Sequence, residues 1–144
     1  QAVFGDIVPN IRELSKQAYQ FTNAYQVRGA TWTIAGIVAS QCGFPMVVGN
    51  HQASNSTMAS VQKPYEGEEC LGDILQNLGY ETVYLGGAPL SFAGKGNFLR
   101  THGYQKVLGY KELAPLLPDP EYNMGWVLYD DSLFEIAVEQ LKQL

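Results

Sequence analysis

Apolar positions along the chain alternate between helical spacing and short β-branched or aromatic runs, which predicts an α/β layer architecture. Near the N-terminus, Asn10 and Glu13 have the spacing of a capping box, so we predict that a helix begins at Asn10. The aromatic and β-branched residues of 21–27 predict a strand after this helix. A second helix is predicted over residues 33–42, with Gly43 as its C-terminal stop.

The same alternation continues through the second half of the chain. Residues 50–62 are polar and predict a surface loop, and the prolines between 115 and 120 predict another. We predict helices over 68–78 and 97–102, strands over 80–85, 105–108 and 126–129, and a last helix that is capped by Asp130 or Asp131 and continues to Leu144. No first strand is evident and the last element is a helix, so we expect residues 1–144 to form a single, incomplete part of an α/β domain.

Composition narrows the classes of function. The 144 residues suffice for one domain, and 46% hydrophobic against 16% charged residues permit a packed core. With 9 basic and 14 acidic side chains the net charge is −5, which argues against a general nucleic-acid binder. Residues 29–62 contain no Asp, Glu, Lys or Arg, but their polar residues and Pro45 indicate buried protein interior rather than a membrane-spanning helix.

Thr33 is the hydroxyl whose position suggests chemistry. It lies where a helix is predicted to begin, in a segment without charged side chains. The free N–H groups and the dipole of a helix N-terminus favour an alkoxide or a bound phosphate. The alternative is that Thr33, or Thr31, simply caps the helix, and spacing alone favours the cap.

The other candidates have weaker patterns. His51 and His102 are far apart and lack a partner at ligand spacing, so a structural role is favoured for each. Asp130 and Asp131 fit a helix start better than a metal site. Glycines on both sides of Lys95 favour a loop that approaches an anion, but the spacing is not that of a phosphate-binding loop.

Two cysteines, Cys42 and Cys70, are too few for a zinc ribbon or a disulfide-dense scaffold. Cys42 ends one predicted helix and Cys70 lies near the start of another. A disulfide between them and a pair of buried thiols both remain open, and the disulfide requires a compartment outside the cytosol.

Several short motifs resemble one protein family. Residues 8–14, VPNIREL, are similar to a TPNLDxL segment near the start of sulfatase and alkaline-phosphatase superfamily domains. Residues 32–43, WTIAGIVASQCG, resemble the nucleophile region of phosphoglycerol transferases that modify periplasmic glucans, relatives of lipoteichoic acid synthase. The segments CLGDIL, FAGK, HGY, GW and YDD continue the resemblance, in order, at residues 70–75, 92–95, 102–104, 125–126 and 129–131.

This resemblance implies an alkaline-phosphatase-like three-layer α/β/α sandwich and an enzyme anchored in the inner membrane, with its catalytic domain facing the periplasm. It implies transfer of phosphoglycerol from an anionic phospholipid donor to a glycan acceptor. Thr33 would be the nucleophile and a ligand of a divalent metal ion, manganese, magnesium or zinc. Lys95 would neutralise the substrate phosphate and Phe92 would lie beside it.

The chain also departs from the family pattern. A metal-binding acid expected before residues 8–14 and Asp and His ligands expected after the last residue have no counterpart, so we expect an incomplete ligand set and no activity of these residues alone. Lipoteichoic acid synthase has a His where this chain has Gly86 and a Trp where it has Ala93. The run Cys-Gly-Phe-Pro at residues 42–45 does not match the C-x-P-x-R motif of true sulfatases.

Two other functions remain open from the sequence. One is a metal-dependent phosphatase, phosphodiesterase or sulfatase-like hydrolase, which transfers its group to water. The other is a non-catalytic α/β module that binds anions. An incomplete sheet would also expose a strand edge, so self-association is expected.

Overall fold

The computed structural model describes residues 7–47 and 54–144. Within these ranges the helices and strands follow one another in the order α1 (Pro9–Ser15), α2 (Thr33–Cys42), α3 (Asn55–Ala59), α4 (Leu71–Asn77), β1 (Val83–Leu85), α5 (Lys95–Thr101), β2 (Lys106–Leu108), α6 (Tyr110–Leu113) and α7 (Asp130–Leu141). Two 3-10 turns, Phe92–Gly94 and Ala114–Leu116, precede α5 and follow α6. No helix in these ranges combines the length and apolarity needed to cross a bilayer.

The strands β1 and β2 pair in parallel, with Val83 opposite Lys106 and Leu85 opposite Leu108. The chain between them contains the first 3-10 turn and α5, so this region is a β-α-β unit. Its first connection leaves the carboxyl end of β1 and leads to Lys95 at the start of α5. In α/β proteins ligands bind at the carboxyl ends of the strands, so the topology places Lys95 at a favourable edge.

The main core lies between α2, α3, α5 and the strand pair. Its buried side chains are Ile34, Val38, Met58, Cys70, Ala93, Phe98, Leu99 and Val107. Helix α2 contributes Ile34, Ala35 and Val38, each fully buried, from one face. Full burial of a large aliphatic side chain stabilises the fold by about 1.5–3 kcal/mol, so this face fixes how α2 lies on the core.

The prediction for α2 is confirmed at both ends. The helix covers Thr33–Cys42, and Gly43 ends it in the left-handed conformation, with φ of 74°. That conformation carries little cost for glycine, which lacks a Cβ. The charge-free segment around α2 is interior only in part: Ala30, Ile34 and Met58 are buried, whereas many of its polar residues are exposed.

Predictions for the N-terminal segment need correction. Helix α1 begins at Pro9 after Val8, and its N-cap residue makes no side-chain capping bond, so Asn10 is not the cap. Proline is favoured at this first position because its missing N–H would have no partner there. Residues 21–27 form a turn and irregular backbone rather than a strand, and the residues are exposed. A strand needs a pairing neighbour, and no described segment pairs with these residues.

The expected loop over 50–62 contains the short helix α3. Its Met58 is buried in the main core, which explains why the segment is ordered as a helix despite its polar composition. Residues 50–53 lie outside the described residues. The loop expected at Pro115, Pro118 and Pro120 begins with the 3-10 turn Ala114–Leu116, which directly follows α6.

The C-terminal part differs in two details. Residues 126–129 form no strand, although the Leu128 N–H donates to Gly87 O at 3.1 Å. One such bond does not make a ladder. Helix α7 is preceded by Tyr129 as its N-cap residue, and Asp130 and Asp131 occupy its first turn without capping it. Their negative charges still interact favourably with the positive, N-terminal end of the helix dipole.

A disulfide joins Cys42, the last residue of α2, to Cys70, the residue before α4. The bond closes a chain segment with a sequence separation of 28 residues. Such a loop lowers the entropy of the unfolded chain and is worth about 2–4 kcal/mol. It ties the C-terminal end of α2 to the region of α4.

We predict that replacing both cysteines by serine lowers the free energy of unfolding by about 2–4 kcal/mol, because the unfolded chain regains its loop entropy. Urea titration measures this difference. Reductant should destabilise the wild type to the level of the double variant and leave the variant unchanged. Equal stability of oxidised and reduced wild type would contradict the role assigned to the bond.

Candidate active site

Thr33 is the first residue of α2, and its side chain is exposed. The residue before it, Trp32, is the N-cap residue, and no side chain of its own caps the helix. The interpretation of Thr31 or Thr33 as the cap is therefore wrong. No described group is hydrogen bonded to the Thr33 hydroxyl, so it is available to a ligand.

The first turn of α2 is capped from another part of the chain. The backbone N–H of Ile34 donates to Oδ1 of Asn55, at 3.2 Å. Asn55 is the first residue of α3 and stands 21 positions further along the chain. The sequence gives no local signal for this bond, because a capping residue is normally sought next to its own helix.

A second donor lies beside the start of α2. The indole Nε1 of Trp32 is buried and has no hydrogen-bond partner among the described residues. An unpaired buried donor costs about 1–3 kcal/mol, so such groups are rare in folded proteins and frequently belong to functional sites.

Lys95 is buried, with 3% of its surface exposed. Burial lowers the pKa of Lys95 because it disfavours the charged ammonium. No described carboxylate forms an ion pair with it. Its Nζ lies 5.8 Å from the ring centre of Phe92, so the aromatic face provides a weak cation–π contact.

The tight turn directly before Lys95 packs against α3. Ala93 and Gly94, which precede it, have φ values of 62° and 69°. A Cβ on Gly94 would lie 2.3 Å from the carbonyl oxygen of Met58, so only glycine fits there. The turn contacts both α3 and α2. The fold therefore brings the start of α2, Asn55 and the turn before Lys95 into one region.

Of the two histidines, the structure describes only His102. His51 lies outside the described residues. His102 is buried, with Nε2 at 2.8 Å from Pro64 O and Nδ1 at 3.1 Å from Asp73 Oδ2. The ring therefore links the loop before α4, through Pro64, and α4 itself, through Asp73, to the end of α5. This geometry fits the structural role that the sequence favoured.

The comparisons with known proteins cover almost the whole chain. The family model described as Sulfatase matches residues 2–144. The chain belongs to the sulfatase family.

Several curated proteins that resemble this chain are named phosphoglycerol transferase I. The protein of Escherichia coli O6:K15:H31 is 38% identical over 142 residues, which are 99% of this chain and 18% of that protein. The protein of Citrobacter koseri is 38% identical over 141 residues, which are 98% of this chain and 18% of the relative. This sulfatase-family chain thus spans less than a fifth of the length of these relatives.

A solved structure supports the fold. "The Crystal Structure of a Protein in the Alkaline Phosphatase Superfamily from Vibrio parahaemolyticus to 1.95A" has a TM-score of 0.68 and 27% sequence identity. The match covers 94% of the sulfatase-family chain and 30% of the solved one. The expected alkaline-phosphatase-like α/β fold, present in part, is confirmed.

Within residues 7–47 and 54–144 of this sulfatase-family chain, the acidic and histidine side chains do not fit a metal ion by themselves. Ligand atoms of Cys70, Asp73 and His102 lie within 4.8 Å of one another. However, Cys70 is in the disulfide, and Asp73 accepts the Cys70 N–H at 2.9 Å as well as facing His102. Thr33 would supply a single oxygen, and one ligand cannot hold a divalent ion against water.

Asp131 is also engaged within the protein. It accepts hydrogen bonds from the Ser132 N–H and the Tyr122 hydroxyl, at 2.7 and 2.9 Å. These donors lower the pKa of the Asp131 carboxyl. Asp131 therefore serves the start of α7, as the sequence favoured, rather than a metal.

We predict that Lys95→Met raises the free energy of unfolding at pH 7, because it removes a buried, unpaired charge. The pKa of Lys95 in the folded state lies below 10.5, its value in the unfolded chain. Between these two pKa values the unfolded chain binds more protons than the folded protein, so the wild type becomes more stable as pH rises. The difference in the free energy of unfolding between Lys95→Met and the wild type should therefore shrink towards pH 10.5. It should shrink by about 1.4 kcal/mol for each pH unit that separates the two pKa values.

Denaturant titrations between pH 6 and 10.5 measure this gap. Lys111→Met, at an exposed lysine, is the matched control and should change stability little. A gap for Lys95→Met that stays constant with pH, or a loss of stability at every pH, would contradict the account of this residue.

Proposed function

We propose that this chain is part of a phosphoglycerol transferase in which Thr33 is the nucleophile. The observation that carries the proposal is the uncommitted, exposed hydroxyl of Thr33 at the first position of α2. The 38% identity to proteins named phosphoglycerol transferase I supports the reaction class.

The proposed reaction has two displacements at phosphorus. Thr33 Oγ attacks the phosphodiester of an anionic phospholipid, the P–O bond to the lipid glycerol breaks, and the diacylglycerol leaves with the hydroxyl proton of Thr33. A hydroxyl of a glycan acceptor then attacks the phosphorus, breaks the bond to Thr33 and returns a proton to its oxygen. Covalent catalysis of this kind divides one difficult transfer into two easier ones.

Lys95 and Phe92 are proposed to bind the substrate. A phosphate group gives the buried Lys95 ammonium the anionic partner that the described residues lack, and the low-dielectric surroundings strengthen their attraction. Phe92 is partly exposed and lies beside Lys95, and its ring is 5.9 Å from that of Trp126. These aromatic rings offer an apolar surface next to the charged group.

We further propose that a divalent metal, manganese, magnesium or zinc, acts in the whole protein and that Thr33 Oγ is one of its ligands. When bound, such an ion supplies Lewis-acid stabilisation of the phosphate and of an alkoxide. Its other ligands would come from residues beyond these 144, as would membrane anchoring and the placement of the domain in the periplasm.

We predict that Thr33→Ala, in the whole protein that contains this chain, abolishes the release of diacylglycerol from a fluorescent phosphatidylglycerol analogue supplied with manganese. The change removes the attacking oxygen, so the loss should exceed about a thousandfold. Thr31→Ala, at an exposed hydroxyl two positions earlier, is the matched control and should keep near wild-type activity.

Equal activity of wild type and Thr33→Ala would exclude Thr33 as the nucleophile. Release of free glycerol phosphate without any glycan product, when acceptor glycan is present, would instead favour the hydrolase. No activity in either protein, together with phosphate binding, would favour the anion-binding module.

A further inference from the structure

The side-chain amide of Asn55 has a bonded oxygen, Oδ1, and a nitrogen, Nδ2, without a hydrogen-bond partner among the described residues. Its Oδ1 accepts the N–H of Ile34. A backbone N–H can only donate, so the oxygen must face Ile34, and this fixes the orientation of the amide. No described group is hydrogen bonded to Nδ2, which leaves its two N–H donors directed away from that bond.

The free half of the amide lies at the start of α2. Ile34 directly follows Thr33, so the Asn55 side chain reaches the same helical turn that presents the Thr33 hydroxyl. The Asn55 amide supplies donors there, and the unpaired indole belongs to Trp32, the residue directly before Thr33. A phosphate group attached to Thr33 is rich in acceptor oxygens.

Asn55 is also held rigidly. Helix α3 begins with a capping box, in which the Ser54 N–H donates to Thr57 Oγ1 at 3.2 Å. The other side of α3 is pressed against the turn before Lys95, where Gly94 leaves no space for a Cβ. A donor that is fixed before the reaction stabilises developing charge without a cost of reorganisation.

We propose that Asn55 is a substrate-binding residue: its Oδ1 caps α2, and its Nδ2 donates to a non-bridging oxygen of the phosphate transferred to Thr33. This inference rests on the function proposed above. A cap alone requires only an acceptor, and Asp at this position would supply one at the same reach. Asn differs from Asp in offering two further N–H donors from an amide whose oxygen is already engaged.

Asn55→Asp separates the two roles of the residue. The carboxylate keeps the acceptor for Ile34 N–H and is favoured at a helix N-terminus, so stability should be unchanged or higher. The variant loses the donor and places a negative charge next to the phosphate. We expect diacylglycerol release to fall by about 10²–10³-fold, the usual effect of removing a preorganised donor.

The assay uses the whole protein, the fluorescent phosphatidylglycerol analogue and manganese, with thermal melts of each variant. Ser56→Asp, which adds the same charge one residue later on the exposed side of α3, is the matched control and should keep near wild-type activity. If Asn55→Asp fails to fold, neutral Asn55→Ser replaces it, with an expected loss of at least about tenfold in kcat at a temperature where its melt shows that the variant is folded.

Normal activity in folded Asn55→Asp or Asn55→Ser, with Thr33→Ala inactive, would overturn this inference and leave Asn55 as a cap only. An equal loss in Ser56→Asp would overturn it too, because a general charge effect would explain both. Full activity of Thr33→Ala would instead reject the proposed function itself, so the two failures are distinguishable.

Discussion

Helix α2 is fixed at both ends by side chains from elsewhere in the chain, and the position of Thr33 depends on both. At its C-terminal end the Cys42–Cys70 disulfide ties it to the start of α4. At its N-terminal end Asn55 binds the first turn. Between these points, one face of the helix is buried in the main core. A rotation or a slide of α2 would break all three, so the Thr33 hydroxyl has one defined place.

The region around Thr33 has an excess of unsatisfied donors. Lys95 is buried without a carboxylate partner, Trp32 Nε1 is buried without an acceptor, and Asn55 Nδ2 is unbonded among the described residues. The two buried groups, Lys95 and the Trp32 indole, make the folded state less stable than an apolar or paired alternative would. The phosphate proposed to bind at Thr33 is rich in acceptor oxygens. This imbalance is the physical basis of the proposal that an anionic substrate binds at the start of α2.

The sequence predicts elements with local signals and fails where distant contacts decide. The C-terminal end of helix α2 is predicted because its stop signal, the left-handed Gly43, directly follows the helix in the sequence. The expected strand at 21–27 is absent, since its apolar pattern has no pairing neighbour among the described residues. Helix α3 was not predicted because its sequence is polar. Its helical structure is explained by one side chain, Met58, which is buried in the main core.

The candidate site was predictable only in part. Thr33, Lys95 and Phe92 were indicated by resemblance to a family, and their catalytic and binding roles stay predictions. Asn55 was missed, because its contact with α2 exists only in the folded protein. Family membership now rests on a match over residues 2–144, and the fold on a solved structure with a TM-score of 0.68.

The most direct test of the central claim is tandem mass spectrometry of the whole protein, quenched with acid during turnover of the phospholipid donor without acceptor glycan. The account predicts a phosphoglycerol group covalently bound to the peptide that contains Thr33, and fragment ions that assign it to this oxygen. Turnover with an unmodified Thr33, or with the group on another residue, would contradict the account.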